Sequence, residues 1–196
     1  MLKETIESTM NDIYKHQLLR ENMSTVDAVS YDNANCVSLV SGAEKMVDFD
    51  AVKQRMLSEM GFPEEGTKSV DGIMNIGRKI LLIEFKNTTM DSSTKTEVRI
   101  KAIDSLLILS EVLSDYWYNI RKDAEFVLVY EKNKNKDKVN KEDNKRIIQD
   151  HLMKKAKDEM VYFDMGKLKG YHFSNVHTYN QQQFRDIILN RIIDVD

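Results

Sequence analysis

The segment 68–87, KSVDGIMNIGRKILLIEFKN, holds the residues best suited to chemistry. Side chains alternate between the two faces of a strand. Over 79–86 this puts Leu81, Ile83 and Phe85 on one face and Ile80, Leu82, Glu84 and Lys86 on the other. An otherwise apolar strand therefore ends in a carboxylate and an ammonium side by side. Charges at the end of a buried strand are costly unless paired or bound. Asp71 follows Val70 in the preceding strand, and a hairpin would set it opposite the Glu84–Lys86 end. Two converging carboxylates suit a hard divalent cation, with Mg²⁺ usual where phosphate is a co-ligand. Such a cation activates water and polarises a phosphoryl group. Lys86 would orient that water or stabilise negative charge in the transition state. The competing reading of the three residues is a structural salt-bridge cluster at a sheet edge.

The surrounding pattern supplies the elements that must position them. Apolar Leu2, Ile6, Met10, Ile13 and Leu18 recur at helical spacing over the first 20 or so residues, and CVSLV (36–40) reads as a short strand. A helix is expected from Asp50 to Met60, with Val52, Met56, Leu57 and Met60 on one stripe. VDGIM and KILLIEFKN, joined by a turn containing Gly77, read as a β-hairpin. A long helix follows over about 95–120, with Thr94 and Glu97 at capping-box spacing. Its expected apolar face is Ile103, Leu106, Leu107, Leu113 and Trp117. FVLVY (126–130) reads as a strand covered on both faces. The polar run EKNKNKDKVNKEDNK reads as a loop leading into a helix. Val161–Phe163 and Tyr171–Val176 are strand candidates, and a closing helix over 181–193 carries Phe184, Ile187, Ile188 and Ile192 inward.

Asp71, twelve intervening residues, then Glu84-Phe85-Lys86 resembles the D…(D/E)-x-K signature of the PD-(D/E)XK nucleases, the restriction-endonuclease-like fold. That superfamily carries its motif on a hairpin, after a first helix and before a crossover helix and a further strand. Residues 47 to 130 follow the same order; Val70 stands where many members have proline. The resemblance implies one α/β domain over 1–196, a mixed central sheet flanked by helices, with a nuclease-like core at about 47–130. A C-terminal α/β extension would occupy about 131–196. It implies Mg²⁺- or Mn²⁺-dependent hydrolysis of a nucleic-acid phosphodiester, with Asp71, Glu84 and the backbone carbonyl of Phe85 on the metal and Lys86 beside the water. The superfamily often adds a glutamate from the first core helix, for which Glu59 and Glu44 are the candidates. Arg99 and Lys101, at the start of the long helix, are the expected phosphate contacts.

Composition sets the remaining bounds. The 196 residues are 41 % apolar and 31 % charged, with a net charge of −3. That length suits one substantial core, and no apolar run approaches the roughly 18 residues of a membrane span. A single cysteine, Cys36, and a charged N-terminus fit a reducing, cytoplasmic setting. Over 132–157, ten basic residues face four acidic ones, a bias suited to a phosphate backbone. Nucleic acid is thus the expected partner, with DNA ranked ahead of RNA and a homodimer or protein partner left open. The four histidines lack metal-ligand pairing with cysteine, and His172 and His177 would face opposite ways on one strand. There is no phosphate-loop, dinucleotide or nucleophile-elbow motif. The competing function is a non-catalytic protein on the same fold, binding a partner or nucleic acid, for instance in a defence or mobile-element system.

Overall fold

The computed structural model describes residues 13–153 and 160–190, and for 145–153 the backbone alone. The expected helix positions Leu2, Ile6 and Met10 lie outside them. From Ile13 the chain forms a 3-10 turn (Ile13–Lys15), helix α1 (Gln17–Glu21), strand β1 (Met23–Thr25) and helix α2 (Val26–Val29). A small hairpin follows, β2 (Tyr31–Asp32) with β3 (Val37–Ser38). Next come strand β4 (Lys45–Asp48), helix α3 (Phe49–Met60), the hairpin β5 (Gly72–Ile76)–β6 (Lys79–Lys86) and helix α4 (Ser92–Leu113). Helix α5 (Trp117–Ile120), strand β7 (Ala124–Tyr130), helix α6 (Lys132–Met153), a 3-10 turn (Met165–Leu168), strand β8 (Asn175–Asn180) and helix α7 (Gln181–Phe184) complete the order. A π-turn, Arg185–Leu189, continues α7.

Six strands form one mixed sheet in the order β1-β4-β5-β6-β7-β8. The first four pair antiparallel, whereas β6–β7 and β7–β8 are parallel. Parallel neighbours need crossovers; α4 makes the first and the α6 region the second. The hairpin turn rests on Gly77 at φ +57°, a conformation a side chain would disfavour. Its register sets Gly72 against Ile83, so Asp71 comes level with Glu84.

Alternation along β6 splits the core in two. Ile80 and Leu82 join Phe126 and Leu128 of β7 beneath Val98, Ala102, Leu106 and Leu109 of α4. Leu81, Ile83 and Phe85 join Val127 and Val129 on the other face, covered by Phe184, Ile188 and Leu189. Glu84 shares the α4 face with Leu82.

Several expectations need correction. The long helix ends at Leu113, where Ser114 adopts a left-handed conformation. Its cap is Asp91, whose carboxylate accepts the Thr94 N–H at 2.8 Å, in place of the Thr94–Glu97 box. Leu107 is 53 % exposed, and Val98, Ala102 and Leu109 are buried instead. In α3, Phe49, Val52 and Leu57 are buried while Met60 is exposed. The lysine-rich run is helical from Lys132: it holds no glycine or proline, and Glu131 Oε2 accepts the Lys134 N–H at 2.5 Å. No strand forms at 161–163, because Phe163 and Asp164 both take positive φ. Their neighbour bonds run sideways, with the Tyr162 N–H on Thr178 Oγ1 and the Phe163 N–H on the Glu142 carboxylate. Strand β8 begins at Asn175, later than expected, because the chain first turns through Gly170 at φ +92°. The closing helix is α7 and the π-turn, with 191–193 outside the described residues.

Asn135 ties the loop after β6 to α6. It is 1 % exposed; its Oδ1 accepts the Met90 N–H at 2.8 Å, and its Nδ2 donates to the Thr88 and Glu131 carbonyls at 2.9 Å each. Asn135→Ala would leave buried backbone groups without partners, so a loss of about 2–4 kcal/mol is expected. Urea unfolding of the two proteins checks it; a loss under about 1 kcal/mol would show that water replaces the amide.

Candidate active site

Three backbone anchors fix Asp71. The Val70 N–H donates to Ser105 Oγ of α4 at 2.7 Å, the Phe49 N–H donates to the Asp71 carbonyl at 3.0 Å, and the Phe85 N–H donates to Asp71 Oδ2 at 2.7 Å. The last bond clamps the carboxylate to the end of β6. The N–H and carbonyl of one strand residue leave it on the same side, so the Phe85 carbonyl also points toward Asp71's side of the strand.

Glu84 has no exposed surface. Two ammonium groups compensate it. Lys86 Nζ lies 2.9 Å from Glu84 Oε1. Lys101 Nζ, from α4, lies 2.9 Å from Oε1 and 3.1 Å from Oε2, and also 3.1 Å from Asp71 Oδ1. The two carboxylates therefore converge on a single nitrogen. Although both ammoniums approach Oε1, neither is aligned on it as a hydrogen-bond donor. The quartet Asp71, Glu84, Lys86 and Lys101 balances to zero formal charge.

Lys101 belongs to a polar seam along an otherwise apolar helix. Glu97, Lys101 and Ser105 recur at i, i+4 and i+8, one above another on a helix face. Each meets the site: Glu97 Oε1 lies 3.7 Å from Lys86 Nζ, Lys101 bridges the acids, and Ser105 holds Val70. Lys101, expected to contact phosphate, has its ammonium between the two carboxylates. The spacing of the seam is the signal that could have found Ser105.

The other candidates lie elsewhere. Glu59 pairs with Arg55 at 3.0 Å on the exposed end of α3, beside Glu21. Glu44 precedes β4, and neither glutamate lines the cleft that holds Asp71. That cleft, of about 590 Å³, runs between the β2–β3 hairpin and the end of β6, and is lined by Asp48, Asp50, Asp71, Phe85 and Lys86 among others. Asp48 and Asp50 are acids of the cleft that no motif in the sequence marks. Asp48 caps α3 by accepting the Ala51 N–H at 3.0 Å, and Asp50 accepts from Ser69 Oγ. Arg99 lies in a separate hollow with Lys95, Lys138, Lys141 and Lys167. Of His172 and His177, expected on one strand, only His177 lies in β8. Its Nε2 is 3.0 Å from Glu125 Oε2 and its Nδ1 3.0 Å from Tyr179 Oη, around a hollow of about 500 Å³ at the opposite end of β7 from Glu84.

Burial, then repulsion from Glu84, pushes the Asp71 carboxyl up to about 7, against the opposing pull of Lys101 and the Phe85 N–H. Burial disfavours the charge on Lys101, but Glu84 and Asp71 outweigh it and hold the ammonium well above its ordinary range. Lys86 is raised in the same way, burial being outweighed chiefly by Glu84.

The donor set bears on a metal. Asp71 Oδ1 and the Glu84 oxygens are hard donors aimed at one point, and Oε1 is buried with no aligned donor. Among the described residues no third His, Cys, Asp or Glu joins them in a ligand group. Mg²⁺ is commonly held by one or two carboxylates with waters and substrate oxygens, so these residues fit it. Comparison of the chain with protein-family models, with curated proteins and with solved structures finds no match.

Asp71 binds its proton more tightly in the folded chain than in the unfolded one. Its contribution to stability is therefore full below about pH 4 and falls as pH rises to about 7. Relative to Asp71→Asn, the native protein should lose on the order of 3 kcal/mol across that window. Urea unfolding of both proteins at several pH values reads the difference; a flat difference would place Asp71 in the ordinary carboxyl range.

Proposed function

We propose that this chain is a metal-dependent nuclease hydrolysing nucleic-acid phosphodiester bonds on a restriction-endonuclease-like core. The observation that carries this reading is Glu84: a fully buried carboxylate on a central apolar strand, converging with Asp71 on one cation. Burying such a charge is costly without a specific use or partner. A bound Mg²⁺ or Mn²⁺ would supply Lewis acidity and a low-pKa water. Asp71 and Glu84 would hold it, with the Phe85 carbonyl as the further ligand implied by the resemblance. Asp71 is oriented for that task by the Phe85 N–H. Lys86, 2.9 Å from Glu84, would hold the attacking water or the charge that develops on the phosphoryl oxygens.

The polynucleotide would lie on the basic side of the molecule. Lys95 and Arg99 of α4 face Lys138 and Lys141 of α6 and Lys167 across one hollow, with Asp91, Glu142 and Asp164 between them. The lysine-rich run is helical over Lys132–Met153, and no described helix is long and apolar enough to cross a membrane.

A second reading, a non-catalytic module of the same fold that binds a partner or nucleic acid, is favoured by the closed charge balance of the quartet. Metal dependence separates the two. With duplex DNA and RNA as substrates, products are expected with Mg²⁺ or Mn²⁺ and not with chelator. Glu84→Gln and Lys86→Ala should each lower the rate at least about 100-fold while circular dichroism shows the fold retained. Undiminished cleavage by both variants would remove the site assignment.

The basic hollow has its own test. Replacing Arg99, Lys138 and Lys141 together by Gln should lower the slope of log affinity against log salt by about 2–3. A slope equal to that of the native protein would move the polynucleotide to another surface.

A further inference from the structure

The reading of Asp71 and Glu84 as cation ligands raises the question of what stands at their point of convergence. The answer is a side chain. Among the described residues, Lys101 is the ammonium that touches both acids, at 2.9–3.1 Å, whereas Lys86 touches Glu84 alone. A Mg²⁺–oxygen bond is about 2.0–2.1 Å. The shell around Lys101 is thus about 1 Å wider than a metal would draw, and one position cannot hold both cations.

Resting on that reading, we infer that Lys101 is an internal counter-ion that occupies the cation position of the metal-free protein, leaves it when a divalent cation binds, and so sets the affinity for that cation.

Three features of the structure support the exchange. The first is charge. The quartet is neutral, so a divalent cation added to it with both ammoniums in place would leave an excess of two positive charges in a largely buried site. Withdrawal of Lys101 relieves half of that excess. The second is the side chain itself. Lysine carries its charge on a flexible four-carbon stem, and the Lys101 side chain is 16 % exposed, so it is not sealed in the core. The third is a waiting acceptor. Glu97 stands one turn back on the same face of α4, more exposed than Glu84, and its ion pairs among the described residues are long, 3.7 Å to Lys86 and 3.9 Å to Lys68. A glutamate four residues N-terminal to a lysine is the favourable orientation for a helix pair. Lys101 can pass from the buried acids to Glu97 without a change in the helix.

With no metal bound, the same ammonium offsets part of the repulsion between the two carboxylates. Removing it should therefore weaken the apo fold and tighten cation binding together. A purely structural salt bridge would show only the first effect.

The protein and its Lys101→Met and Glu84→Gln variants would be titrated with Mn²⁺, free ion being read by electron paramagnetic resonance. Lys101→Met is expected to bind at least about tenfold tighter than the native protein, and Glu84→Gln to lose the site. Equal or weaker binding by Lys101→Met, with native binding intact and dependent on Glu84, overturns the counter-ion and leaves the metal reading standing. No Glu84-dependent binding in any of the proteins overturns both. Should Lys101→Met fail to fold, the native chain carries the test through amine-reactive labelling read by mass spectrometry. Mn²⁺ is expected to raise labelling of Lys101 several-fold relative to Lys79, which lies at the other end of β6; unchanged or reduced labelling overturns the inference.

Discussion

Glu84 is a carboxylate without exposed surface in the middle of a six-stranded sheet, and the packing around it follows from neutralising it. Burying this side chain requires compensating ammoniums, because the cost of an uncompensated buried charge exceeds what a few apolar contacts return. Lys101 answers that demand from the helix and Lys86 from the strand. Since Lys101 also reaches Asp71, the placement of α4 over the sheet and the position of the segment before β5 are coupled through one nitrogen. Ser105, two turns from Glu97, bonds Val70 and strengthens the same coupling.

The arrangement divides labour along α4. Val98, Ala102, Leu106 and Leu109 join the apolar core, which supplies the bulk of the burial. The adjacent seam of Glu97, Lys101 and Ser105 supplies no comparable apolar area and instead fixes polar groups at the end of β6. Such a seam is a specificity device: a helix rotated by one residue would take Lys101 off the two acids and leave Glu84 with Lys86 alone. The loop beyond β6 is fixed separately, through Asn135 of α6. Lys134 links the same loop to the β2–β3 hairpin, bonding the Asn87 carbonyl at 2.8 Å and Asn35 Oδ1 at 3.4 Å, and so shapes the cleft above Asp71.

Much of this is legible in the sequence. Helix α3, the β5–β6 hairpin, the faces of β6 and strand β7 follow from strong local periodicity and a glycine turn. The elements read less well are those whose local signal is weak or overridden. The lysine-rich run has the composition of a loop, yet a local cap at Glu131 and the tie of Asn135 to Thr88 and Met90 hold a helix there. Residues 161–163 have strand-like side chains, but positive φ at Phe163 and Asp164 turns the chain away from the sheet. Leu107 fits a helical stripe by spacing and still faces outward, because the sheet meets α4 on the face centred on Ala102 and Leu106.

The sequence by itself determined that Glu84 and Lys86 share one face of a buried strand, since alternation is a property of the extended backbone. It also determined that a short hairpin brings Asp71 near them, since the turn at Gly77 leaves little freedom of register. Only the tertiary structure decided which cation those acids meet. Lys101 lies fifteen residues beyond Lys86, and its role depends on how a crossover helix is rotated and slid over the sheet. The same packing leaves Glu59 at the far end of α3 and brings Asp48 and Asp50 to the cleft. Local patterning fixes which face a residue takes; the choice of partner across the interface is set by the packing of whole elements, where one buried charge outweighs the preference of any single residue.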